Sequence, residues 1–135
     1  MPQLELALLN HKLPKEIISA FEKLFLIFDD LIPKEAPSLL HGDFWYENVL
    51  PNQFGAPTLI DPAVYFGHRE MDLAMADLFG GFPVEFFKAY QHRFPLQPGF
   101  EQRRKLHQLY PLLVHVNLFG DSYVQRVVNI MNQFS

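Results

Sequence analysis

Apolar residues recur at intervals of three and four along the first part of the chain. Ile17, Ile18, Phe21, Leu24, Phe25 and Phe28 predict an amphipathic helix that ends near Asp30, with Pro14 suited to its first turn. The breaker segment Pro33 to Pro37 closes it. Short apolar runs follow: Ser38-Leu39-Leu40, Val49-Leu50 and Thr58-Leu59-Ile60. The last two flank Pro51-Asn52-Gln53-Phe54-Gly55-Ala56-Pro57, which is hairpin punctuation. From Glu70 the helical period returns, with a stop at Gly80-Gly81. Pro83 opens a further helix to about Tyr90. A longer one spans Phe100 to Phe119, where Pro111 is expected to kink or divide it. After Gly120-Asp121-Ser122, a last helix carries Val124, Val127, Val128, Met131 and Phe134 on one face. The expected fold is mainly α with a small β-hairpin, an α+β arrangement. It is read as a single domain over 1–135, with a leading helical segment (1–37), loops and hairpin (38–64) and a helical region (65–135).

Composition narrows the functional classes. The chain has 135 residues, nearly half of them apolar, and a formal net charge of -4. Arg103-Arg104-Lys105 is the densest basic cluster and reads as a solvated helix face. Nucleic acid is therefore not an expected partner. With no cysteine, disulfides, thiolate metal sites and a Cys nucleophile are excluded. No apolar run reaches membrane-spanning length, and Met1-Pro2-Gln3 does not resemble the start of a signal peptide. A cytoplasmic location without membrane attachment is the expectation. The 14 Phe, 5 Tyr and 1 Trp imply extensive aromatic packing.

The chemistry concentrates in His41-Gly42-Asp43-Phe44-Trp45-Tyr46-Glu47-Asn48, followed after the hairpin by Ile60-Asp61-Pro62. This is H-x-D-x-x-x-x-N with a later acidic residue, the layout of a phosphoryl-transfer catalytic loop. A carboxylate at Asp43 can meet an acceptor hydroxyl as its proton leaves. The Asn48 carboxamide oxygen and the Asp61 carboxylate are hard ligands suited to Mg2+ on nucleotide phosphates. His41 is expected to brace the loop by hydrogen bonding. Two other readings stay open. One is a non-catalytic interaction or regulatory module that keeps the fold. The other is a metal-dependent phosphohydrolase using His41, Asp43, Asp61 and His68.

At these residues the sequence resembles the fructosamine-kinase family, within the aminoglycoside-phosphotransferase-like group that shares the protein-kinase-like fold. His41 to Asn48 is similar to that family's HGDLWxGN motif. The tract from Ile60 to Met75, Leu78 to Phe82, and Leu109-Tyr110-Pro111-Leu112-Leu113 also look like the family. The resemblance implies the C-terminal lobe of an ATP-dependent kinase that phosphorylates a sugar hydroxyl of a ketosamine, free or on a glycated protein. ATP and Mg2+ are the implied cofactors. It further implies that Asp72 supports the catalytic loop, that Trp45 lines the acceptor pocket, and that His68 and Arg69 lie near the phosphates or the acceptor.

This sequence departs from the family pattern at Phe44 and at Tyr46-Glu47. A bulky pair at 46 and 47 loses glycine's backbone freedom, and Glu47 adds charge that opposes a triphosphate. None of the first 40 residues is glycine, and no G-x-G-x-x-G occurs anywhere. The expectation is therefore a C-lobe without a nucleotide-covering lobe, weakly active or inactive alone. Its cleft face should be exposed and apolar, which favours a homodimer.

Overall fold

The computed structural model describes residues 1–134. Among the described residues, six α-helices and four short strands follow in the order α1 (Pro2–Leu9), α2 (Ile17–Leu31), β1 (Ser38–Leu40), β2 (Val49–Pro51), β3 (Pro57–Leu59), β4 (Tyr65–Gly67), α3 (Glu70–Leu78), α4 (Val84–Arg93), α5 (Phe100–Phe119) and α6 (Val124–Met131). The α+β character agrees with the sequence reading. The chain forms two compact units: Met1–Pro33 with Lys105–Ser135, and Lys34–Arg104.

The first unit is helical. Its core is Leu4, Ala7, Leu13, Ile17, Phe21, Leu24, Leu106, Leu109, Leu112, Leu113, Val116, Val127, Ile130 and Met131, all buried. The expected single leading helix is two helices. α1 ends as His11 takes a left-handed φ of 55°. Pro14 then sits ahead of α2, where its carbonyl accepts the Ile17 amide at 3.2 Å. Lys12 Nζ donates to the Asn117 carbonyl at 2.5 Å, and Asn117 donates to the Gln3 carbonyl at 2.9 Å, which ties α1 to α5. Pro111 does not divide α5, which runs unbroken for 20 residues. Leu109, Leu112, Leu113 and Val116 are buried on either side of it, and that packing outweighs one missing backbone bond.

The second unit holds both antiparallel strand pairs and α3 and α4. β2 pairs with β3 as the expected hairpin, Val49 facing Leu59 and Pro51 facing Pro57. β1 pairs with β4, Ser38 facing Gly67 and Leu40 facing Tyr65. β4 has no alternating pattern of its own, and its strand geometry comes from pairing with β1. Leu40, Leu73, Ala74, Ala76 and Leu78 form the apolar centre, while Leu39, Leu50, Phe54, Leu59, Tyr65 and Phe66 on the strand pairs stay exposed.

The basic cluster is not a solvated face. Arg103 is buried and forms a bidentate pair with the fully buried Glu70, at 3.0 and 2.7 Å. Arg104 pairs with Asp77 at 3.1 Å and Glu101 at 2.7 Å. Charge periodicity cannot distinguish a solvated arginine from one that reaches a buried carboxylate far away in sequence.

Candidate active site

The loop after β1 is held from both sides. The Asp72 carboxylate, in the first turn of α3, accepts the amides of His41 at 2.7 Å and Gly42 at 3.0 Å. The His41 carbonyl accepts the Ala63 amide at 2.8 Å. Gly42 has φ +83°, and a Cβ there would lie 2.0 Å from the Ala63 carbonyl oxygen. Only glycine therefore lets the chain cross so close to the segment that carries Asp61.

The imidazole of His41 joins the two acidic positions. Its Nδ1 accepts the Asp43 amide at 3.3 Å, and its Nε2 lies 2.9 Å from the Ile60 carbonyl. An accepting Nδ1 leaves Nε2 to carry the proton and donate to Ile60. His41 thus sets Asp43 against the residue preceding Asp61. Asn48 is buried and donates from Nδ2 to the Asp43 carbonyl at 2.9 Å and to Asp43 Oδ2 at 3.1 Å. With Nδ2 committed, Oδ1 is the end of the amide available to a cation. The Asn48 carbonyl accepts the Ile60 amide at 3.0 Å, so the hairpin closes directly onto the loop.

Asp61 is exposed and takes a left-handed φ of 50°. Non-glycine residues adopt that conformation at a cost of about 1–3 kcal/mol, and such strain clusters at functional positions. The oxygen donors at Asn48 and Asp61 fit a hard divalent ion such as Mg2+. Among the described residues, the side chains of His41, Asp43, Asp61 and His68 do not converge as a group of three or more metal-ligand atoms. The phosphohydrolase reading needs such a cluster.

Aromatic packing seats the middle of the loop. The Phe44 ring lies 5.0 Å from Phe82 and 5.8 Å from Phe86, and Trp45 packs edge-on against Phe79 at 5.9 Å. Tyr46 meets Phe82 edge-on at 5.9 Å and covers Gly81, where an added Cβ would strike it at 2.6 Å. Tyr46 and Glu47 lie in a 3-10 turn, Tyr46–Asn48, and neither has a positive φ. The departures at 46 and 47 therefore need no glycine backbone.

His68 and Arg69 mark the junction between β4 and α3. His68 Nδ1 accepts the Glu70 amide at 3.3 Å. Arg69 donates to both carboxylate oxygens of Glu35, at 2.7 and 3.0 Å, and to the carbonyls of Phe94 and Pro95, each at 2.8 Å. The hydrogen bond from Arg69 is the largest influence on Glu35 and holds its carboxyl below the usual range, against the opposing effect of burial. The same bond raises the already high pKa of the Arg69 guanidinium. Arg103 is raised in the same way by its bond to Glu70. Sequence reasoning missed both pairs, which join residues 34 and 33 positions apart. A cavity of about 880 Å³ opens among α3, α4 and the start of α5, lined by Leu73, Asp77, Phe82, Phe87 and Arg104 among others. Asp43, Asn48 and Asp61 do not line it. No helix among the described residues is long and apolar enough to cross a membrane.

Comparison with known proteins places this arrangement. The fructosamine kinase family model matches residues 2–135. A protein from Lactiplantibacillus plantarum named a probable ketoamine kinase is 49% identical over 109 residues, covering 81% of this chain and 39% of that protein. The mouse protein named ketosamine-3-kinase is 45% identical over 109 residues, covering 81% of this chain and 34% of its own length. The crystal structure of a candidate fructosamine-3-kinase from Thermobifida fusca superposes with a TM-score of 0.90 at 40% identity, covering 98% of this chain and 46% of that one. The chain thus spans less than half the length of these relatives. The match runs through the H-x-D-x-x-x-x-N loop, the hairpin and Asp61, and the chain belongs to the fructosamine kinase family.

Proposed function

We propose that residues 38–72 form the acceptor-activating and metal-binding part of an ATP-dependent ketosamine kinase. One observation carries the reading: His41 links the Asp43 amide to the Ile60 carbonyl while Asn48 grips Asp43. That linkage ties the loop carrying Asp43 and Asn48 to the residue before Asp61, which supports a phosphoryl-transfer site built from the three.

In this reading Asp43 orients the sugar hydroxyl and takes its proton as the oxygen attacks the γ-phosphorus. The bond from phosphorus to the bridging oxygen breaks, and ADP leaves. Asn48 Oδ1 and the Asp61 carboxylate would hold Mg2+, which would supply charge neutralisation on the phosphates. His41 keeps the loop in register without exchanging protons. Trp45 contributes an aromatic wall for the acceptor. The names of the relatives support a ketosamine acceptor.

The test is ATP-dependent transfer of phosphate to fructosyl-lysine, followed by 31P NMR, with Asp43→Asn alongside. A rate that falls by about 10²-fold or more in the variant supports the reading. A rate indifferent to Asp43 overturns it. Full failure of the polypeptide to bind magnesium nucleotide would favour the interaction-module reading.

A further inference from the structure

Arg69 occupies the N-cap position of α3 and its own side chain does not cap the helix, while His68 Nδ1 accepts the Glu70 amide at 3.3 Å. The first turn of α3 carries Asp72, whose carboxylate fixes the His41 and Gly42 amides. Beyond the local His68–Glu70 bond, tertiary tethers hold the turn. Arg69 supplies four hydrogen bonds, two to Glu35 and two to the Phe94 and Pro95 carbonyls. Its guanidinium also lies over the Tyr90 ring, 6.0 Å from the centroid.

Glu35 precedes β1, the strand that delivers His41. The connections close on themselves: Glu35 leads through β1 to His41 and Gly42, these bind Asp72, and Asp72 leads back along α3 to Arg69, which binds Glu35. Between the two contacts, β1 pairs with β4 from Ser38–Gly67 to Leu40–Tyr65. A ring of this kind fixes both partners of the Asp72 contact at once. Opening it at Arg69 frees the α3 turn to rotate and the β1 entry to slide.

We propose that Arg69 is a positioning residue: with Glu35 it clamps β1 to the start of α3, and so holds Asp72 against the loop that presents Asp43. Its consequence for phosphoryl transfer rests on the kinase reading above, but the positioning itself does not.

Amide hydrogen exchange by NMR on the whole chain tests it, because the His41 and Gly42 amides report the Asp72 contact directly. Arg69→Gln should accelerate exchange at those two amides at least tenfold. The Ile60 amide, bonded to Asn48, and the Asn52 amide, bonded to Ala56, should keep their rates. Unchanged rates at His41 and Gly42, or equal acceleration everywhere, would overturn the proposal. If Arg69→Gln does not fold, Glu35→Gln decides by the same criterion, since it keeps the side-chain shape and leaves the Phe94 and Pro95 carbonyl bonds in place. Local loosening in a protein whose wild type binds no magnesium nucleotide would sustain the clamp and remove the kinase reading. Transfer that persists with no loosening would do the opposite.

Discussion

Asn48 donates its side-chain amide to both the carbonyl and the carboxylate of Asp43, at 2.9 and 3.1 Å. One residue thereby restrains the proposed base and leaves its own Oδ1 as the amide atom for the proposed metal. Asn48→Ala removes both effects. Mn2+ binding in the presence of nucleotide, read by paramagnetic line broadening, should weaken about tenfold or more. Equal affinity in wild type and variant would remove Asn48 from the metal site.

Two glycines with left-handed φ separate backbone strain from collision. At Gly80, φ is +71° and a Cβ would meet nothing within 4 Å, whereas at Gly42 it would lie 2.0 Å from the Ala63 carbonyl oxygen. Gly80→Ala should therefore cost about 1–2 kcal/mol in denaturant unfolding. Gly42→Ala should cost at least about 2 kcal/mol more, because a carbonyl cannot move aside without breaking the His41–Ala63 bond. Similar costs at the two sites would mean that the close approach is soft.

Local chemistry is legible in the chain, and distant pairing is not. His41, Asp43, Asn48 and Asp61 stand out because the loop and its hairpin are contiguous. The turn is written in Asn52, whose side chain accepts the Phe54 and Ala56 amides, and in Gly55 at φ +76°. Asp72 was found only through the resemblance. The Glu35–Arg69 and Glu70–Arg103 pairs left no local trace, since each joins distant segments whose meeting depends on the fold. β4 was missed because Tyr65 and Phe66 are both exposed and show no alternation. Pro14 reads as part of the first helical turn, yet it precedes α2, because a proline that starts a helix looks the same as one just ahead of it.

Glu35 makes stability depend on pH in a defined direction. Its folded pKa is depressed, chiefly by the hydrogen bond from Arg69. A depressed carboxyl contributes stability that is fully present above its unfolded pKa, about 4.3, and is lost as pH falls through the folded value. Wild type should therefore lose midpoint temperature on acidification below about pH 4.3 more steeply than Glu35→Gln does. Parallel curves for the two proteins would show that the pair contributes no pH-dependent stability.

The Arg103–Glu70 pair is the more deeply buried of the two, with Glu70 fully buried and the bonds at 3.0 and 2.7 Å. Arg103 also donates to the Pro98 carbonyl at 2.7 Å and the Gln97 carbonyl at 2.9 Å, so it ties the loop before α5 to the first turn of α3. Burying two charges gains little over an apolar pair, but removing one partner strands the other. Arg103→Met should therefore destabilise the protein by about 3–5 kcal/mol in denaturant unfolding. Glu70→Gln, which keeps hydrogen-bond acceptance, should cost less. The double variant Arg103→Met with Glu70→Leu should recover part of the loss, because it leaves no isolated charge. If the double variant is as unstable as the sum of the two single changes, the arginine acts mainly through the Gln97 and Pro98 carbonyls, and the ion pair itself is secondary.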